Sequence, residues 1–287
     1  MDGPNLVRRG AAAVLAAAVF GGLSTWTPDP GRVELAAAPV PARERPKPKP
    51  KPESNAKPKP ESTPKPPPPD CSRVKCVALT FDDGPAESTG ELLDVLAAKN
   101  VRATFFLVGE NVVKHPELVR RELQAGHEIG DHSYTHADLG TASKTTVMSE
   151  LTRTQDAIRR AAGFTPVLLR PPYGSVSKRL TKLARSMGLA QVLWTVDPLD
   201  WEHRDTGYVE KRVLKRVRPG YVVLMHDIHP TTVRAVPRII DRLAAEGYAF
   251  VTVSELYGGR LVPGREYGRT GRTMRQGEDS GAAQGLP

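Results

Sequence analysis

Apolar and polar positions alternate along the middle of the chain in a pattern that predicts repeated strand and helix units. Strand candidates lie at 77–81, 103–108, 127–131, 166–169, 191–196, 221–225 and 249–253. Helical spacing separates these runs, as where Val147, Leu151, Thr154 and Ile158 recur on one face. Alternation on this scale predicts an α/β fold with a largely parallel sheet, either a barrel or an open doubly wound sheet.

The first residues of the chain resemble an export signal. Arg8 and Arg9 precede the alanine-rich apolar run 10–20, and the small residues 36–38 offer a cleavage site. The apolar run is short for a membrane span, although an uncleaved anchor is the alternative. We therefore expect residues 1–38 to direct export, with the protein secreted or held at the cell wall or surface. Any membrane contact would be made through this segment alone.

Composition divides the rest of the chain into three parts. Residues 39–70 are dominated by proline and lysine, which favour an extended, disordered linker and cannot build a core. This linker is either a spacer that crosses an anionic cell wall or a solubilising tether without a target. Residues 71–257 form the predicted folded domain. Residues 258–287 are rich in glycine, arginine and polar side chains, and they predict a disordered tail.

The charge of the chain lies mostly outside the predicted domain. The formal net charge is +9, of which only +3 falls within residues 71–257. A nucleic-acid groove would concentrate basic residues inside the domain, so we expect no nucleic-acid partner. The basic run 211–218 repeats around a Val/Leu stripe, as a solvated amphipathic helix does. The excess charge is better explained by tails that meet an anionic surface, and a basic tail binding nucleic acid or membrane is the alternative.

The two cysteines, Cys71 and Cys76, directly precede the first predicted strand. Export favours a disulfide between them, which would fix the entry to the domain. The alternative is two unpaired thiols, because so short a loop closes only if the chain turns back on itself.

Polar clusters follow five of the predicted strands. Parallel β/α units bring the carboxyl ends of their strands to one face, where such folds place active sites. The clusters are Asp82-Asp83, His132 to His136, Arg170 to Gly174, Asp197 to Trp201, and His226-Asp227.

Two histidines spaced i, i+4 predict a metal site when a carboxylate lies on the same rim. His132 and His136 would share one face of a helical turn, and one aspartate of the Asp82-Asp83 pair would complete a three-ligand set. Such a set suits zinc or another divalent ion and favours hydrolysis. Non-haem iron oxygenases use similar ligands, but in antiparallel folds that the β/α alternation argues against.

The remaining rim residues complete an acid–base arrangement. The second aspartate of the pair would take a proton from the attacking water, and Arg170 would hold it ionised through a bidentate contact. His226 would protonate a leaving group if Asp200 raised its pKa. Trp201 would wall the pocket, stack on a sugar ring, or pack in the core. Asp197 is expected to be a turn residue before Pro198.

Taken together, these residues resemble the polysaccharide deacetylase family, carbohydrate esterase family four. The motifs TFDDGP, HSYTH, RPPYG, DPLDW and LMH follow one another in the family's order over residues 77–257. The resemblance implies an α/β fold, a distorted (β/α) barrel with about seven parallel strands. It also implies a divalent metal, usually zinc with cobalt, nickel or manganese as alternatives, bound by Asp83, His132 and His136.

The same resemblance implies a role for each remaining residue of the motifs. Asp82 is then the general base, fixed by Arg170, and His226 is the general acid, tuned by Asp200. The backbone N–H of Tyr173 stabilises the oxyanion. We expect the substrate to contact Tyr173, Pro171, Trp201 and Leu224.

The implied activity is hydrolysis of N-acetyl groups on a polysaccharide by a monomeric exported enzyme. Signal and linker favour N-acetylglucosamine of peptidoglycan as the substrate. Chitin oligosaccharides and acetylated xylan are alternatives, the last by ester hydrolysis. A non-catalytic carbohydrate-binding wall protein on the same fold is a rival of another class.

Overall fold

The structure is a computed structural model that describes residues 68–268. The predicted signal segment 1–38, almost all of the predicted linker 39–70 and the tail beyond 268 lie outside these residues. Within the described part of the chain, no helix is both long and apolar enough to cross a membrane.

Within residues 68–268, eight strands form one sheet in which every pairing is parallel. The seven predicted strands are present, most of them shortened at their ends, and an eighth was not predicted. The strands are β1 (Lys75–Asp82), β2 (Thr104–Leu107), β3 (Glu128–Asp131), β4 (Leu168–Leu169), β5 (Ala190–Val192), β6 (Tyr221–His226), β7 (Tyr248–Phe250) and β8 (Glu266–Tyr267).

Helices connect successive strands and cover the outer face of the sheet. Several begin at a side-chain cap, such as Ser143 before α4 and Asp205 before α7, which accept a backbone N–H of the first turn. The helices are α1 (Glu87–Ala98), α2 (Gly109–Lys114), α3 (Pro116–Gln124), α4 (Lys144–Ala162), α5 (Lys178–Ser186), α6 (Asp200–His203), α7 (Thr206–Arg216), α8 (Pro230–Ala245) and α9 (Val253–Leu256).

The sheet curls into the distorted barrel that the motifs implied. Its order is β6-β1-β2-β3-β4-β5-β8, and β7 pairs with the first residues of β1. Beyond β5, Val196 forms a β-bridge with Val223 of β6, so the chain connects the two edges of the curled sheet. Because the strands are parallel, the ends of β1, β3 and β6 that carry the motifs open on one face.

The period-two alternation of β1 sorts its side chains between two environments. Val77, Leu79 and Phe81 pack with the helices in the largest core cluster. Cys76 and Ala78 belong instead to a second cluster inside the curled sheet. The alternation continues through Thr80 to Asp82, so the first motif aspartate is carried into the interior of the barrel.

The predicted disulfide is present between Cys71 and Cys76, whose Cα atoms lie 5.4 Å apart. The chain therefore does turn back on itself immediately before β1. No cysteine of the protein is left free.

The prediction of a disordered tail from residue 258 is wrong for its first part, which continues the fold to residue 268. Leu193 donates a backbone hydrogen bond to Tyr267 and Gly264 donates one to Leu189, at 2.8 and 2.7 Å. The Tyr267 ring also packs against Tyr257, with ring centroids 5.0 Å apart. Composition alone suggested disorder, because these residues are ordered by hydrogen bonds to the backbone edge of β5. A local sequence pattern does not show such long-range contacts.

A chain that ends at residue 258 is expected to be less stable than one that ends at 268. The longer chain keeps the two bonds above and a third from Gln191 N–H to the Arg265 carbonyl. At about 1 kcal/mol per bond, the shorter chain loses about 3 kcal/mol of unfolding free energy. Urea unfolding of both chains measures the difference, and equal free energies would contradict the role of β8.

Candidate active site

The carboxyl ends of the strands surround a cleft of about 430 Å³. Side chains from five separate segments of the chain line it, and all but Leu224 are polar or aromatic. They are Asp82, Asp83, His132, His136, Tyr173, Trp194, Asp197, Trp201, Leu224 and His226. The structure thus brings together residues that the sequence separates by up to 144 positions.

Backbone geometry separates the two adjacent aspartates. Asp82 is the last residue of β1 and is buried. Asp83 follows with φ of 73°, a left-handed conformation that costs energy for a side chain with a Cβ. Its N–H donates to the Phe106 carbonyl, and its own carbonyl accepts from the Asn111 side chain at 2.8 Å. This turn carries the Asp83 carboxylate away from its neighbour and toward the two histidines.

Asp82 is paired with a fully buried arginine. Arg170 Nη1 lies 2.6 Å from Asp82 Oδ1 and 2.7 Å from Thr80 Oγ1. Burial lowers the pKa of Arg170, and the adjacent Asp82 charge acts in the opposite direction. An unpaired guanidinium at this depth would cost several kcal/mol, so each charge of the pair requires the other.

The predicted bidentate contact between Arg170 and Asp82 is not formed. Arg170 Nε donates to the Val192 carbonyl and Nη2 donates to the Leu193 carbonyl. Only Nη1 hydrogen-bonds to Asp82, and the guanidinium also ties β1 to the chain around β5.

Asp83, His132 and His136 converge on one point. Asp83 Oδ1 lies 3.4 Å from Nε2 of each histidine, and one ligand atom from each residue lies within 4.8 Å of the others. Asp83 Oδ1 is buried and has no hydrogen-bond partner among the described residues. Such an atom facing two imidazole nitrogens fits a divalent cation, whose preferred ligands are carboxylate oxygen and imidazole nitrogen.

Hydrogen bonds orient both histidine rings toward Asp83. His132 Nδ1 lies 2.6 Å from the Arg170 carbonyl, so this nitrogen carries the hydrogen and Nε2 keeps its lone pair. His136 Nδ1 lies 3.1 Å from the Tyr173 hydroxyl. Burial lowers the pKa of His136. Burial acts to raise the pKa of Asp83, but the neighbouring histidines hold it well below its ordinary value.

The two histidines do not lie on a helical turn, contrary to the prediction from their spacing. His132 still donates its N–H to Leu107 in the register of the sheet. Ser133 and His136 then adopt positive φ angles of 65° and 61°. The chain leaves a strand here instead of entering a helix, so left-handed turns bring the two rings together.

His226 and Asp200 form a buried pair at the end of β6, where His226 lies beside Asp82 in the register of the sheet. His226 Nδ1 lies 2.9 Å from Asp200 Oδ1, while the His226 N–H and Thr232 Oγ1 both donate to Asp200 Oδ2. Burial acts to lower the pKa of His226, but the hydrogen bond and charge of Asp200 raise it to about 9. The same pairing lowers the pKa of Asp200 in spite of its burial. The imidazolium form is thus favoured at neutral pH.

Aromatic side chains form the open part of the cleft. Tyr173 is 71% exposed and Trp201 is 48% exposed, so both can meet a ligand from solution. Tyr173 also has a positive φ of 61° in the short turn Pro172–Gly174. Leu224 lines the cleft from β6, whereas Pro171 is buried and is not among the lining residues. Asp197 accepts the Leu199 N–H at 2.7 Å, as a turn residue does, and also lines the cleft.

Several residues that shape the site were not predicted from the sequence. Thr80 shares the inward face of β1 with Asp82, and the alternation of the strand could have revealed it. Trp194 lies within the predicted strand 191–196 and was assigned no role. Thr232 and Glu150 carry no local signal, because they reach the site only through tertiary packing.

Comparisons with known proteins agree with this geometry. The family model for polysaccharide deacetylases matches residues 70–192. The peptidoglycan-N-acetylglucosamine deacetylase PgdA of Listeria monocytogenes is 44% identical over 200 residues, covering 69% of this chain and 42% of PgdA. The chitooligosaccharide deacetylase of a Bradyrhizobium strain is 36% identical, covering 66% of this chain and 93% of the relative. The chain therefore spans about two-fifths of the length of the Listeria relative.

A solved structure extends the similarity to the fold. The family 4 carbohydrate esterase from Streptomyces lividans, in complex with acetate, matches with a TM-score of 0.61 and 40% sequence identity. The match covers 66% of this chain and 98% of that protein.

The His226–Asp200 pair is expected to make stability depend on pH. Because the folded-state pKa of about 9 exceeds the ordinary 6.5, the pair stabilises fully below pH 6.5 and loses this contribution as pH rises through 9. The contribution is at most about 3 kcal/mol. Urea unfolding of metal-free protein between pH 6 and 9.5 measures it. Asp200→Asn should remove most of this pH dependence, and an unchanged decline in that variant would contradict the pairing.

Proposed function

Because the chain belongs to the polysaccharide deacetylase family, we propose that it hydrolyses N-acetyl groups of a cell-wall polysaccharide, with peptidoglycan N-acetylglucosamine as the substrate. One observation carries this proposal. The buried Asp83 Oδ1, which has no hydrogen-bond partner among the described residues, faces two imidazole nitrogens. The Asp82 carboxylate and the His226 imidazolium line the same cleft. This arrangement offers a cation site, a base and an acid around one cleft.

Asp83, His132 and His136 are the residues that would hold the metal, and we propose zinc, with cobalt, nickel or manganese as alternatives. Bound there, a divalent metal would polarise the acetyl carbonyl and make water more acidic. The three ligands leave other positions open, as a catalytic site requires and a structural site does not.

Asp82 serves as the general base in this proposal. The contact with Arg170 fixes Oδ1, which leaves Oδ2 toward the cleft, 3.6 Å from His132 Nε2. A water that attacks the acetyl carbonyl carbon gives its proton to this carboxylate as the new C–O bond forms.

His226 serves as the general acid. Its pKa of about 9 keeps the ring protonated at neutral pH, and Asp200 holds Nδ1 so that Nε2 carries the proton to be donated. When the C–N bond breaks, the departing amine takes this proton, and acetate and a glucosamine unit are released.

The backbone N–H of Tyr173 is proposed to donate to the oxyanion of the tetrahedral intermediate. The left-handed conformation of Tyr173 supports this role, because backbone strain of this kind is retained where a site depends on it. The exposed Trp201 ring is proposed to stack on a sugar of the substrate.

Peptidoglycan is proposed over other acetylated glycans because of the wall-directed features of the sequence. The predicted export signal and Pro/Lys-rich spacer would place a monomeric enzyme at the wall. The Listeria relative carries a name that specifies peptidoglycan N-acetylglucosamine. The Bradyrhizobium relative is named for chitooligosaccharides, so chitin oligomers are the second candidate.

The zinc-loaded protein is expected to release acetate from peptidoglycan faster than from chitin oligomers or acetylated xylan. Asp82→Asn should reduce the rate by about 10²- to 10⁴-fold, because the amide cannot take the proton, while bound zinc stays unchanged. Acetate release and zinc content are measured on the same samples.

Asp94→Asn provides a matched control, since Asp94 is an exposed carboxylate of α1 paired with Arg121. It should leave acetate release unchanged. Full activity of Asp82→Asn would refute its role as base. A zinc-loaded wild type that releases acetate from none of the substrates would favour the non-catalytic rival.

His132→Ala is expected to abolish zinc binding, because it removes the most rigidly held of the three ligands. Zinc per protein chain, measured by elemental analysis after dialysis, should fall from about one to near zero. His127→Ala is the control, since His127 is a buried histidine whose Nδ1 accepts the Ala103 N–H away from the cleft. Retained zinc in His132→Ala would contradict the proposed ligand set.

A further inference from the structure

The two histidines of the proposed metal site are held in different ways. His132 is fixed twice by the sheet, through its N–H to Leu107 and its ring to the Arg170 carbonyl. His136 lies outside regular structure, its side chain is 30% exposed, and its ring contacts the exposed Tyr173 hydroxyl. The position of His136 must therefore depend on the backbone of residues 133–136.

The buried carboxylate of Glu150 accepts hydrogen bonds from the backbone N–H groups of this segment. The backbone N–H groups of Tyr134 and Thr135 both donate to Glu150 Oε2, each at 2.8 Å. Thr135 Oγ1 donates to the other oxygen, Oε1, at 3.1 Å. Glu150 lies on α4 and is 6% exposed, and no lysine or arginine within residues 68–268 forms an ion pair with it. Its charge is balanced instead by the converging dipoles of the loop.

The opposite side of the segment is held by the start of α2. Gly109 and Glu110 donate backbone hydrogen bonds to the carbonyls of Ser133 and Tyr134, at 3.0 and 3.1 Å. The packing is close here, since a Cβ on Gly109 would lie 2.4 Å from the Tyr134 ring. On α4, Arg153 stacks over the same ring at 3.6 Å. Carbonyls face α2 and N–H groups face Glu150, so the segment is clamped from both sides.

We propose that Glu150 is a positioning residue that holds His136 in place to bind the metal. The inference rests on the proposed ligand set of Asp83, His132 and His136. The left-handed turns at Ser133 and His136 are strained, and a strained backbone persists only where its surroundings determine it. Without an acceptor at Glu150, the partly buried N–H groups of Tyr134 and Thr135 lose their partner, the segment relaxes, and the His136 ring leaves Asp83 Oδ1.

Two substitutions at Glu150 test separately whether the segment needs a hydrogen-bond acceptor or a negative charge at this position. Glu150→Leu keeps the approximate volume but accepts no hydrogen bond. Glu150→Gln keeps one oxygen for both N–H groups, and its NH₂ can donate to Thr135 Oγ1. We expect the leucine variant to bind zinc about 10- to 100-fold more weakly than the wild type, and the glutamine variant to recover most of the affinity.

Glu128→Leu is the matched control for a purely structural effect. Glu128 opens β3 at the end away from the cleft, and it also accepts a backbone N–H and hydroxyls, from Ser254 and Thr104. Its substitution should lower the unfolding free energy of the metal-free protein and leave zinc affinity unchanged. Thr135→Val, which removes one bond to Glu150, should weaken zinc binding by a smaller factor than Glu150→Leu.

Zinc affinity is measured on the metal-free full chains by competition with a chromophoric chelator, and stability is measured by urea unfolding of the same samples. Wild-type zinc affinity in Glu150→Leu would overturn the inference, as would equal losses of affinity in Glu150→Leu and Glu128→Leu. If Glu150→Leu does not fold, unchanged affinity in Thr135→Val overturns it. Zinc retained by His132→Ala would instead refute the ligand set, which identifies a failure of the proposed function.

Discussion

The buried ion pair between Arg170 and Asp82 is the constraint on which the site depends. A guanidinium without any exposure is tolerated only because Asp82, Thr80 and the carbonyls around β5 satisfy its donors. The same residue accepts from the His132 ring through its backbone carbonyl. One arginine therefore orients the proposed base with its side chain and a proposed metal ligand with its main chain.

The adjacent aspartates show how one backbone torsion assigns different chemistry to identical side chains. Asp82 keeps the alternation of β1 and points into the barrel toward Arg170. Asp83 breaks the alternation with a positive φ and turns to His132 and His136. Two carboxylates in one orientation would repel each other in a poorly solvated cleft. Because they are separated, Asp82 contacts the Arg170 guanidinium, whereas Asp83 faces the proposed cation site.

The proposed acid and the proposed base are likewise held by separate partners. His226 is paired with Asp200, which raises its pKa, and Asp82 is paired with Arg170. Each pair is buried and is held by hydrogen bonds from elsewhere in the fold, such as Thr232 to Asp200. The cleft thus holds an imidazole whose pKa is raised to about 9 and a carboxylate fixed by an arginine, the two kinds of group that general acid–base catalysis uses.

The sequence was enough to predict the α/β class, the seven main strands and the residue types at their ends, because these depend on local periodicity and on the shared direction of parallel strands. It also revealed the Asp, His and Arg set through its motifs. Tertiary structure alone decided the turn that joins His132 to His136, the single contact of Arg170 with Asp82, and the ordering of residues 258–268. These features depend on positive φ angles, on competing carbonyl acceptors and on an open strand edge. Each is a relation between distant segments, as is the contact of Glu150 with Tyr134 and Thr135, and a pattern along the chain cannot record it.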